Sequence, residues 1–229
     1  MTTRFHIVTL GCPKNRVDSE HIEQLLREAD HQAVADPADA DVLIVNTCGF
    51  IEAAKQESID AILSLASRKA KHQVLIAAGC LAERYGPELL AGMREVNSVL
   101  GTRRWADILS VVEGARRGER MCWTGAVDHD PALPRRLSGP TAYLKIAEGC
   151  SAACAFCAIP AIKGPLRSKP PAQCVAEARS LVEQWAKEIV LIAQDTTAYG
   201  HDRGETEELS ELIDAILAEV PELPWLRLM

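Results

Sequence analysis

The sequence predicts an α/β protein with two units, an open parallel sheet followed by the beginning of a (β/α) barrel. Short apolar runs alternate with amphipathic helical stretches along the chain, which is the pattern of βαβ units. Apolar residues make up 48% of the 229 residues but aromatic residues only 4%, so aliphatic side chains supply the buried surface, as in parallel strands covered on both faces. A segment rich in glycine and proline separates two such regions and indicates a domain boundary.

The first region alternates strands and helices from its start. Its predicted strands are Phe5–Leu10, Val42–Val45, Val74–Ala77 and Ser98–Leu100. Four helices are predicted between and after these strands. The first has an apolar stripe at Ile22, Leu25, Leu26 and Ala29, and the second covers Ile51–Ala70. The third starts at Gly86-Pro87, and the last faces inward with Trp105, Ile108, Leu109 and Val112. This order implies a parallel sheet with helices on both sides, of the Rossmann- or flavodoxin-like kind.

The second region follows a linker that we place at residues 117–138, with one candidate strand near Met121–Thr124. We therefore predict one domain over residues 1–116 and another over residues 139–229. Predicted strands of the second domain are Ala142–Ile146, Glu188–Ala193 and Trp225–Met229, with amphipathic helices from Val175 to Trp185 and from Leu209 to Val220. Repeated βα units build a barrel, and here the repetition stops early.

Charge and hydropathy argue against several classes of protein. A net charge of -7 argues weakly against bulk nucleic-acid binding, which depends on Lys and Arg, although a local basic groove remains compatible with it. No segment is long and apolar enough to cross a bilayer, and Met1–Leu10 lacks the features of a signal peptide. We therefore expect a cytoplasmic protein with no membrane or DNA partner. In a reducing compartment eight cysteines seldom form structural disulfides, so metal binding or catalysis is the leading explanation for them.

The strongest signal is a short loop with three cysteines, Cys150, Cys154 and Cys157, directly after a predicted strand. We call these three residues the loop trio. Three thiolates are one ligand fewer than a closed structural zinc site or a fully protein-ligated cluster requires, and an open coordination position is what a catalytic metal centre needs. The alternative is a structural zinc site with a fourth ligand elsewhere, because the spacing of these cysteines is also permissible for zinc.

A second group of cysteines follows the strands of the first domain. Cys12, Cys48 and Cys80, the strand-end trio, each lie just past the carboxyl end of a predicted strand. In an open parallel sheet those ends share one edge, so the fold could bring three distant thiols together. The alternative is that they are small buried hydrophobic residues, which free cysteines often are. Cys122 and Cys174 do not share this setting, and we interpret both as structural residues.

Several segments resemble a known enzyme family. The loop trio, with Phe156 before its last cysteine, resembles the signature of radical S-adenosylmethionine enzymes, and the preceding strand-end trio resembles the methylthiotransferases among them. Leu10-Gly-Cys-Pro-Lys-Asn-Arg-Val-Asp-Ser-Glu20, Tyr143–Cys150 and Leu191–Gly200 are similar to the branch that modifies an aspartate of small-subunit ribosomal protein S-twelve. The resemblance spans essentially the whole chain.

The sequence departs from the family pattern in a few places. Ala152 and Ala153 replace polar or basic residues usual inside the cysteine loop, and Lys163 stands where arginine is common. The family's barrel has more strands, and an RNA-binding-like domain follows it, so we expect this chain to be a fragment. The remaining strands would form much of the S-adenosylmethionine pocket, and activity of this polypeptide alone is therefore not expected.

The resemblance implies an enzyme that methylthiolates the β-carbon of that aspartate, with two 4Fe–4S clusters and S-adenosylmethionine as cofactors. The cluster on the loop trio would bind S-adenosylmethionine and, with one electron from a reductant, produce the radical that removes hydrogen from the carbon. The cluster on the strand-end trio would deliver the methylated sulfur. No side chain is assigned as a general acid or base, because that hydrogen is not acidic enough for one and a cofactor must perform the step.

Other candidate residues rest on weaker signals. Phe156 could contact S-adenosylmethionine or be a core aromatic, and Tyr143 is interpreted as a core residue. Gln194 ends a barrel strand, where it could contact S-adenosylmethionine or the substrate. A basic stretch could meet a carboxylate, but we favour solvated charges for its residues, Lys163, Arg167 and Lys169.

Two alternative functions remain open from the sequence. The first is a tRNA adenosine methylthiotransferase. Pro13-Lys14 weighs against it, because that branch typically has Gln-Met there, and so does the segment Gln194-Asp195-Thr-Thr. The second is a non-catalytic protein that binds zinc or an iron–sulfur cluster. Metal and sulfide content would separate this second alternative from the enzyme, and the modified substrate would separate the two methylthiotransferases.

Overall fold

A computed structural model of the chain describes residues 2–125, 135–204 and 208–229. The chain forms two compact units, Met1–Pro131 and Ala132–Met229. The division falls inside the predicted linker 117–138, of which residues 126–134 lie outside the described part. The mixed α/β class predicted from the sequence is confirmed in both units.

The first unit begins with a strand and alternates strands with helices. Its strands β1 to β6 are Arg4–Thr9, Gln32–Ala33, Val42–Thr47, Val74–Gly79, Ser98–Gly101 and Met121–Trp123. Its helices α1 to α4 are Pro13–Glu28, Glu52–Arg68, Cys80–Gly92 and Ile108–Arg116, and 3-10 turns occur at Pro37–Asp39 and Thr102–Asp107.

The six strands form one parallel sheet in the order β2-β1-β3-β4-β5-β6. The chain passes outward from β1 to β2 and then crosses back to β3, so the strand order reverses between β1 and β3. This is the flavodoxin-like arrangement, in which ligands bind outside the carboxyl ends of the strands at the switch point. The open parallel sheet predicted from the sequence is therefore confirmed.

The centre of this sheet is buried on both faces. Every residue of β3 and β4 is buried, which explains why these strands are continuous apolar runs rather than alternating ones. Leu43 and Leu75 of these strands belong to one core cluster with Ile62 of α2 and Leu89 of α3. Each such side chain contributes about 1.5–3 kcal/mol to the stability of the fold when it is fully buried. The sheet is therefore a stable support for the loops at its carboxyl edge.

The second unit repeats the pattern on a smaller scale. Its strands β7 to β11 are Thr141–Lys145, Ala147–Glu148, Arg167–Ser168, Glu188–Ile192 and Trp225–Leu228. Its helices α5 to α7 are Ile159–Lys163, Pro171–Glu183 and Glu208–Glu219. Strands β11, β10 and β7 form a parallel sheet in that order, and β8 pairs with β9 in antiparallel orientation. Three parallel strands with helices between them are the predicted beginning of a (β/α) barrel.

Helix α3 and several short elements differ from the prediction. Helix α3 begins at Cys80 rather than at Gly86, and its backbone kinks at Tyr85. Pro87 explains the kink, because its ring displaces the carbonyl four residues earlier and it has no N–H to donate. The pair β8 and β9 was not predicted, since two-residue strands carry no readable periodicity.

Two further observations concern the cysteines and the helices. All eight cysteines are free thiols rather than disulfides. The longest helix of the first unit, α2, carries exposed polar residues along much of its length. Across the described residues, no helix combines the length and apolar character needed to span a membrane.

Candidate metal centres

The strand-end trio lies at the carboxyl edge of the first sheet. Cys12 precedes α1 as its N-cap, Cys48 follows β3, and Cys80 is the first residue of α3 after β4. The strands β1, β3 and β4 are neighbours in the sheet, and all are parallel. Fold topology therefore brings the three cysteine-bearing loops to one place, next to the switch point between β1 and β3.

Backbone contacts show how closely these loops approach one another. Gly11 has φ +88, and a Cβ there would lie 2.8 Å from Cys48 Cβ and 3.1 Å from Cys48 Sγ. A Cβ on Gly49 would lie 2.8 Å from the Cα of Leu81 and 3.0 Å from the carbonyl carbon of Cys80. Glycine is needed at both positions, because any side chain would push the three loops apart.

Buried hydrogen bonds hold Cys48 at this edge. The backbone N–H of Cys48 donates to Ser58 Oγ at 2.9 Å, and the Ser58 hydroxyl donates to the Cys48 carbonyl at 3.0 Å. The Thr47 hydroxyl donates to the carbonyl of Ala78 across the β3–β4 pair. Cys48 and Cys80 are 9% and 6% exposed, and Cys12 is half-buried, so the trio forms a recessed site.

The loop trio lies on the segment between β8 and α5. Cys154 is exposed, whereas Cys150 and Cys157 are half-buried. The N–H of Ala152 donates to Cys150 Sγ at 3.4 Å, and the N–H of Ile159 donates to Cys157 Sγ at 3.5 Å. Backbone donors directed at sulfur stabilise negative charge there, which suits thiolates that bind metal.

Three contacts close the ends of this loop. The N–H of Cys150 donates to the Gly164 carbonyl at 3.1 Å. Gly149 has φ +74, and a Cβ there would overlap the carbonyl oxygen of Pro165. The N–H of Leu166 donates to Ser151 Oγ at 3.0 Å. Gly149 is thus required by backbone conformation and by close approach at once.

A buried ionic network lies directly before the loop trio. The Glu148 carboxylate pairs with Lys145 Nζ at 2.7 Å and with Lys163 Nζ at 3.0 Å, and Gln194 Nε2 donates to it at 3.1 Å. Burial alone would raise the pKa of Glu148, but the two ammonium groups outweigh it and hold that pKa well below its usual range. Because Glu148 precedes Gly149 and Lys163 ends α5, this ion pair joins the two ends of the cysteine loop.

The network corrects the interpretation of the basic stretch as solvated. Lys163 is buried and paired with Glu148, and Lys169 pairs with Glu177 and is mostly buried. Of the three residues only Arg167 is exposed. Glu148 was not among the predicted site residues, although two signals for it are visible in the sequence: its position next to Gly149-Cys150, and a lysine, Lys145, inside an apolar strand.

The weaker candidates fall in three settings. Phe156 is 90% exposed at the tip of the cysteine loop, so it is not a core aromatic. Tyr143 is half-buried on β7, and its carbonyl accepts a hydrogen bond from Arg135. Gln194 follows β10, and its Oε1 is buried without a hydrogen-bond partner among the described residues. A contact of Phe156 or Gln194 with S-adenosylmethionine or substrate stays a prediction.

The two remaining cysteines lie apart from both trios in sequence and surroundings. Cys174 is fully buried in the core of the second unit, and burial raises the pKa of its thiol to about 12. A thiol that stays protonated is a poor metal ligand. Cys122 lies on β6, where a Cβ on Gly86 would approach its Sγ to 2.8 Å, and burial raises the pKa of that thiol also. The buried setting of Cys174 fits a structural role, whereas Cys122 is exposed on its strand.

The spacing of the cysteines does not match a single-ion site. Among the described residues, no group of three or more His, Cys, Asp or Glu is close enough together to hold one metal ion. A four-iron cluster is a larger body than one ion, so its ligands stand farther apart. A cluster on either trio is suggested by the type and number of the ligands, three free cysteines in each.

Comparison with known sequences assigns a family to each unit. The sequence model of the Uncharacterized protein family UPF0004 matches residues 4–101, and that of the Radical SAM superfamily matches residues 144–224. Each match contains one trio, since Cys12, Cys48 and Cys80 fall in the first and the loop trio in the second.

Curated relatives cover nearly the whole chain. It is 41% identical over 250 residues to the ribosomal protein uS12 methylthiotransferase RimO of Roseiflexus sp. (strain RS-1), covering 99% of this chain and 53% of the relative. It is 47% identical over 231 residues to the protein of that name from Anaeromyxobacter sp. (strain Fw109-5), covering 99% and 49%. The chain spans about half the length of the curated relatives it matches.

Solved structures support the fold at low sequence identity. The radical S-adenosylmethionine methyltransferase TsrM from Kitasatospora setae, with cobalamin and a [4Fe-4S] cluster bound, matches with a TM-score of 0.66 at 11% identity, covering 98% of this chain and 53% of that one. The cobalamin-dependent S-adenosylmethionine radical enzyme OxsB matches with a TM-score of 0.58 at 11% identity, covering 96% and 37%.

The match over residues 144–224, which contains the loop trio, identifies the second unit as a radical S-adenosylmethionine domain. With its first unit and its curated relatives taken into account, the chain belongs to the methylthiotransferase family, in the branch whose members are named RimO.

The residues present fit the cofactors that this family implies. Cysteine thiolates are the usual ligands of 4Fe–4S clusters, and a trio leaves one iron without a protein ligand. At the loop trio, the two backbone N–H groups directed at Cys150 and Cys157 match the charge of a ligating thiolate. At the strand-end trio, the glycines at 11 and 49 allow the three cysteine-bearing loops to approach one another closely.

Proposed function

We propose that this protein is a radical S-adenosylmethionine methylthiotransferase that modifies the β-carbon of an aspartate in small-subunit ribosomal protein uS12. The observation that carries the proposal is the match of 41–47% identity over 99% of this chain with relatives named for that activity. The two cysteine trios, one in each unit, support it because the reaction needs both a radical source and a sulfur donor.

The proposal includes two 4Fe–4S clusters, one on each trio, together with S-adenosylmethionine and a one-electron reductant. When bound, these groups supply the one-electron chemistry and the sulfur that no protein side chain can provide. The residues of this chain hold the groups and control their surroundings. The strand-end trio would hold its cluster in a recessed, glycine-lined site, whereas the loop trio would hold its cluster on an exposed loop.

The ionic network behind the loop trio orients that loop. Glu148 binds Lys145 of β7 and Lys163 of α5 at once, so the carboxylate ties both ends of the loop to the barrel sheet. Gln194 donates to the same carboxylate from the end of β10. These residues fix where Cys150 and Cys157 stand, without themselves donating or accepting a proton in the reaction.

Metal analysis of the chain tests the cofactor part of the proposal. After anaerobic reconstitution, the chain should hold about eight irons and eight sulfides, and replacing either trio by alanine should remove about half of each. Zinc without sulfide would overturn the enzyme interpretation and favour a zinc-binding protein. Clusters that survive loss of the strand-end trio in full number would overturn the two-site assignment.

Mass spectrometry of cellular substrates tests the reaction itself. In a strain that lacks the gene, uS12 should lose the mass of one methylthio group, and the complete gene should restore it while the strand-end trio variant should not. Loss of the increment from tRNA instead, with uS12 unchanged, would contradict the proposal and favour the tRNA adenosine methylthiotransferase.

A further inference from the structure

One buried side chain touches all three loops of the strand-end trio. Asn15 is fully buried in the first turn of α1, three residues after Cys12. Its Nδ2 donates to the Leu10 carbonyl at 3.0 Å and to the Thr47 carbonyl at 2.9 Å. The thiol of Cys80 donates to Asn15 Oδ1, with 3.6 Å between sulfur and oxygen.

Each of these contacts belongs to a different cysteine. Leu10 lies two residues before Cys12, Thr47 directly precedes Cys48, and the third contact is to Cys80 itself. The amide therefore joins loops that are far apart in sequence. The three loops follow three separate strands, so contacts between neighbouring residues within one loop cannot connect it to the other two.

An amide is the group that these contacts require. One nitrogen provides two N–H donors for two carbonyls, and the oxygen remains an acceptor for the thiol. A carboxylate of the same shape would place acceptors against both carbonyls, and an apolar side chain would leave two buried carbonyls without donors.

The position of Asn15 is itself held from the sheet. Asn46 Nδ2, from β3, donates to the Asn15 carbonyl at 2.8 Å and to Ser19 Oγ at 2.8 Å. The Thr9 hydroxyl, at the end of β1, donates to the same Ser19 hydroxyl at 2.8 Å. A buried polar network of this kind is rigid when all of its members are satisfied. Through this network, Asn15 connects the three loops to the strands β1 and β3.

We propose that Asn15 is a positioning residue that sets the relative places of Cys12, Cys48 and Cys80 before any cofactor binds. The proposal rests on the proposed function only in taking these three cysteines as one site. It assigns to a neutral, non-ligating side chain the task of keeping three loops ready to receive a cluster.

The test compares thiol reactivity in the metal-free chain of 229 residues. Alkylation of each cysteine by iodoacetamide is followed by mass spectrometry in the wild type and in Asn15→Asp. Losing two buried hydrogen bonds should loosen the loops and raise the alkylation rates of Cys48 and Cys80 by about tenfold or more. The rates of Cys150, Cys154 and Cys157 should stay within about twofold.

Gln73→Glu is the matched control. Gln73 is a buried amide whose Nε2 donates to the carbonyls of Pro37 and Ala40 at 2.8 and 2.7 Å, with no contact to a cysteine. This variant loses the same kind of bonds in the same unit. Equal alkylation rates at Cys48 and Cys80 in Gln73→Glu and Asn15→Asp would overturn the proposal, since a general loss of stability would then explain both.

Iron loading separates this proposal from the proposed function. In a background with the loop trio replaced by alanine, the wild-type residue should allow about four irons and Asn15→Asp fewer than about one. If neither protein binds iron but the alkylation rates of Cys48 and Cys80 still rise in Asn15→Asp, the proposed cluster is contradicted. The role of Asn15 in joining the loops would then still stand. If Asn15→Asp fails to fold, Asn15→Ser, which keeps one hydroxyl donor, replaces it in the test. Folded Asn15→Ser with unchanged alkylation rates at Cys48 and Cys80 would overturn the proposal.

Discussion

The two cysteine trios that we propose as ligand sets are assembled by opposite routes. The strand-end trio is collected from three strands by the topology of a parallel sheet, and two of its members are nearly buried. The loop trio lies within one short segment, and its middle member is exposed. The first site therefore depends on the fold of a whole unit, whereas the second depends on a loop and on the contacts that close it.

This difference implies that the two sites respond differently to amino-acid substitutions. A substitution at the sheet edge should disturb the buried strands and lower the stability of the first unit. A substitution within the cysteine loop itself should remain local, because exposed segments open without unfolding the core beneath them. Loss of the buried ion pairs of Glu148, in contrast, should lower the stability of the second unit. The following variants test whether the two sites respond as this contrast predicts.

The largest expected effect comes from removing the charge of Glu148. Glu148→Gln leaves Lys145 and Lys163 buried without a counter-charge, and we expect a loss of about 3 kcal/mol or more in the second unit at neutral pH. Because the folded-state pKa of Glu148 is depressed, its contribution is present above the unfolded pKa near 4.5 and is lost as the pH falls below that value. Urea unfolding at several pH values measures both.

The matched control for this variant is Glu119→Gln. Arg117 lowers the pKa of Glu119 as well, but this ion pair lies on the surface of the first unit. Its loss should leave the stability of the first unit nearly unchanged, since exposed ion pairs contribute little. Equal effects of the two variants would show that the Glu148 network does not hold the second unit together.

Alanine at two glycines compares the sites directly. Gly79 has φ +93, and a Cβ there would overlap Asn46 and Thr47, so Gly79→Ala should cost the first unit about 3 kcal/mol. Gly149→Ala should cost about 2 kcal/mol, confined to the cysteine loop. Hydrogen exchange read by mass spectrometry should show exposure across β3 and β4 in the first variant and only around the loop in the second.

Gly118→Ala and Gly204→Ala serve as controls for backbone strain alone. Both glycines have positive φ, with nothing within 4 Å of an added Cβ. Each substitution should cost about 1 kcal/mol, the penalty of the left-handed conformation without a collision. A loss in Gly79→Ala no greater than in Gly118→Ala would refute the close packing of the strand-end loops.

The smallest expected effect on stability separates ligand from core cysteine. Cys174→Ala should cost about 1–2 kcal/mol, since it leaves a small cavity in the core, and should not change iron content. Cys154→Ala should change stability by less than about 0.5 kcal/mol, because the residue is exposed, yet should lower iron binding to the loop trio. Lost iron in Cys174→Ala with unchanged loading in Cys154→Ala would reverse the assignment of these cysteines.

Much of the fold could be predicted because apolar periodicity is local. The strands around Val42 and Val74 and the helix over Glu52–Arg68 lie within a few residues of the predicted bounds. The start of α3 at Cys80 could not be predicted in this way, since Gly86 and Pro87 resemble a helix boundary while tertiary packing carries the helix through them. The solvated interpretation of Lys163 was wrong because a buried partner, Glu148, is visible only in the folded chain.

By itself, the sequence determined the α/β class, the spacing of the loop trio and the position of each strand-end cysteine after its strand. These features are written in neighbouring residues. Only the tertiary structure decided which side chains meet: Asn15 with the loops of three cysteines, and Glu148 with two lysines. Such contacts join residues that sequence separates widely, and burial gives them their energy by removing the competing hydrogen bonds of water.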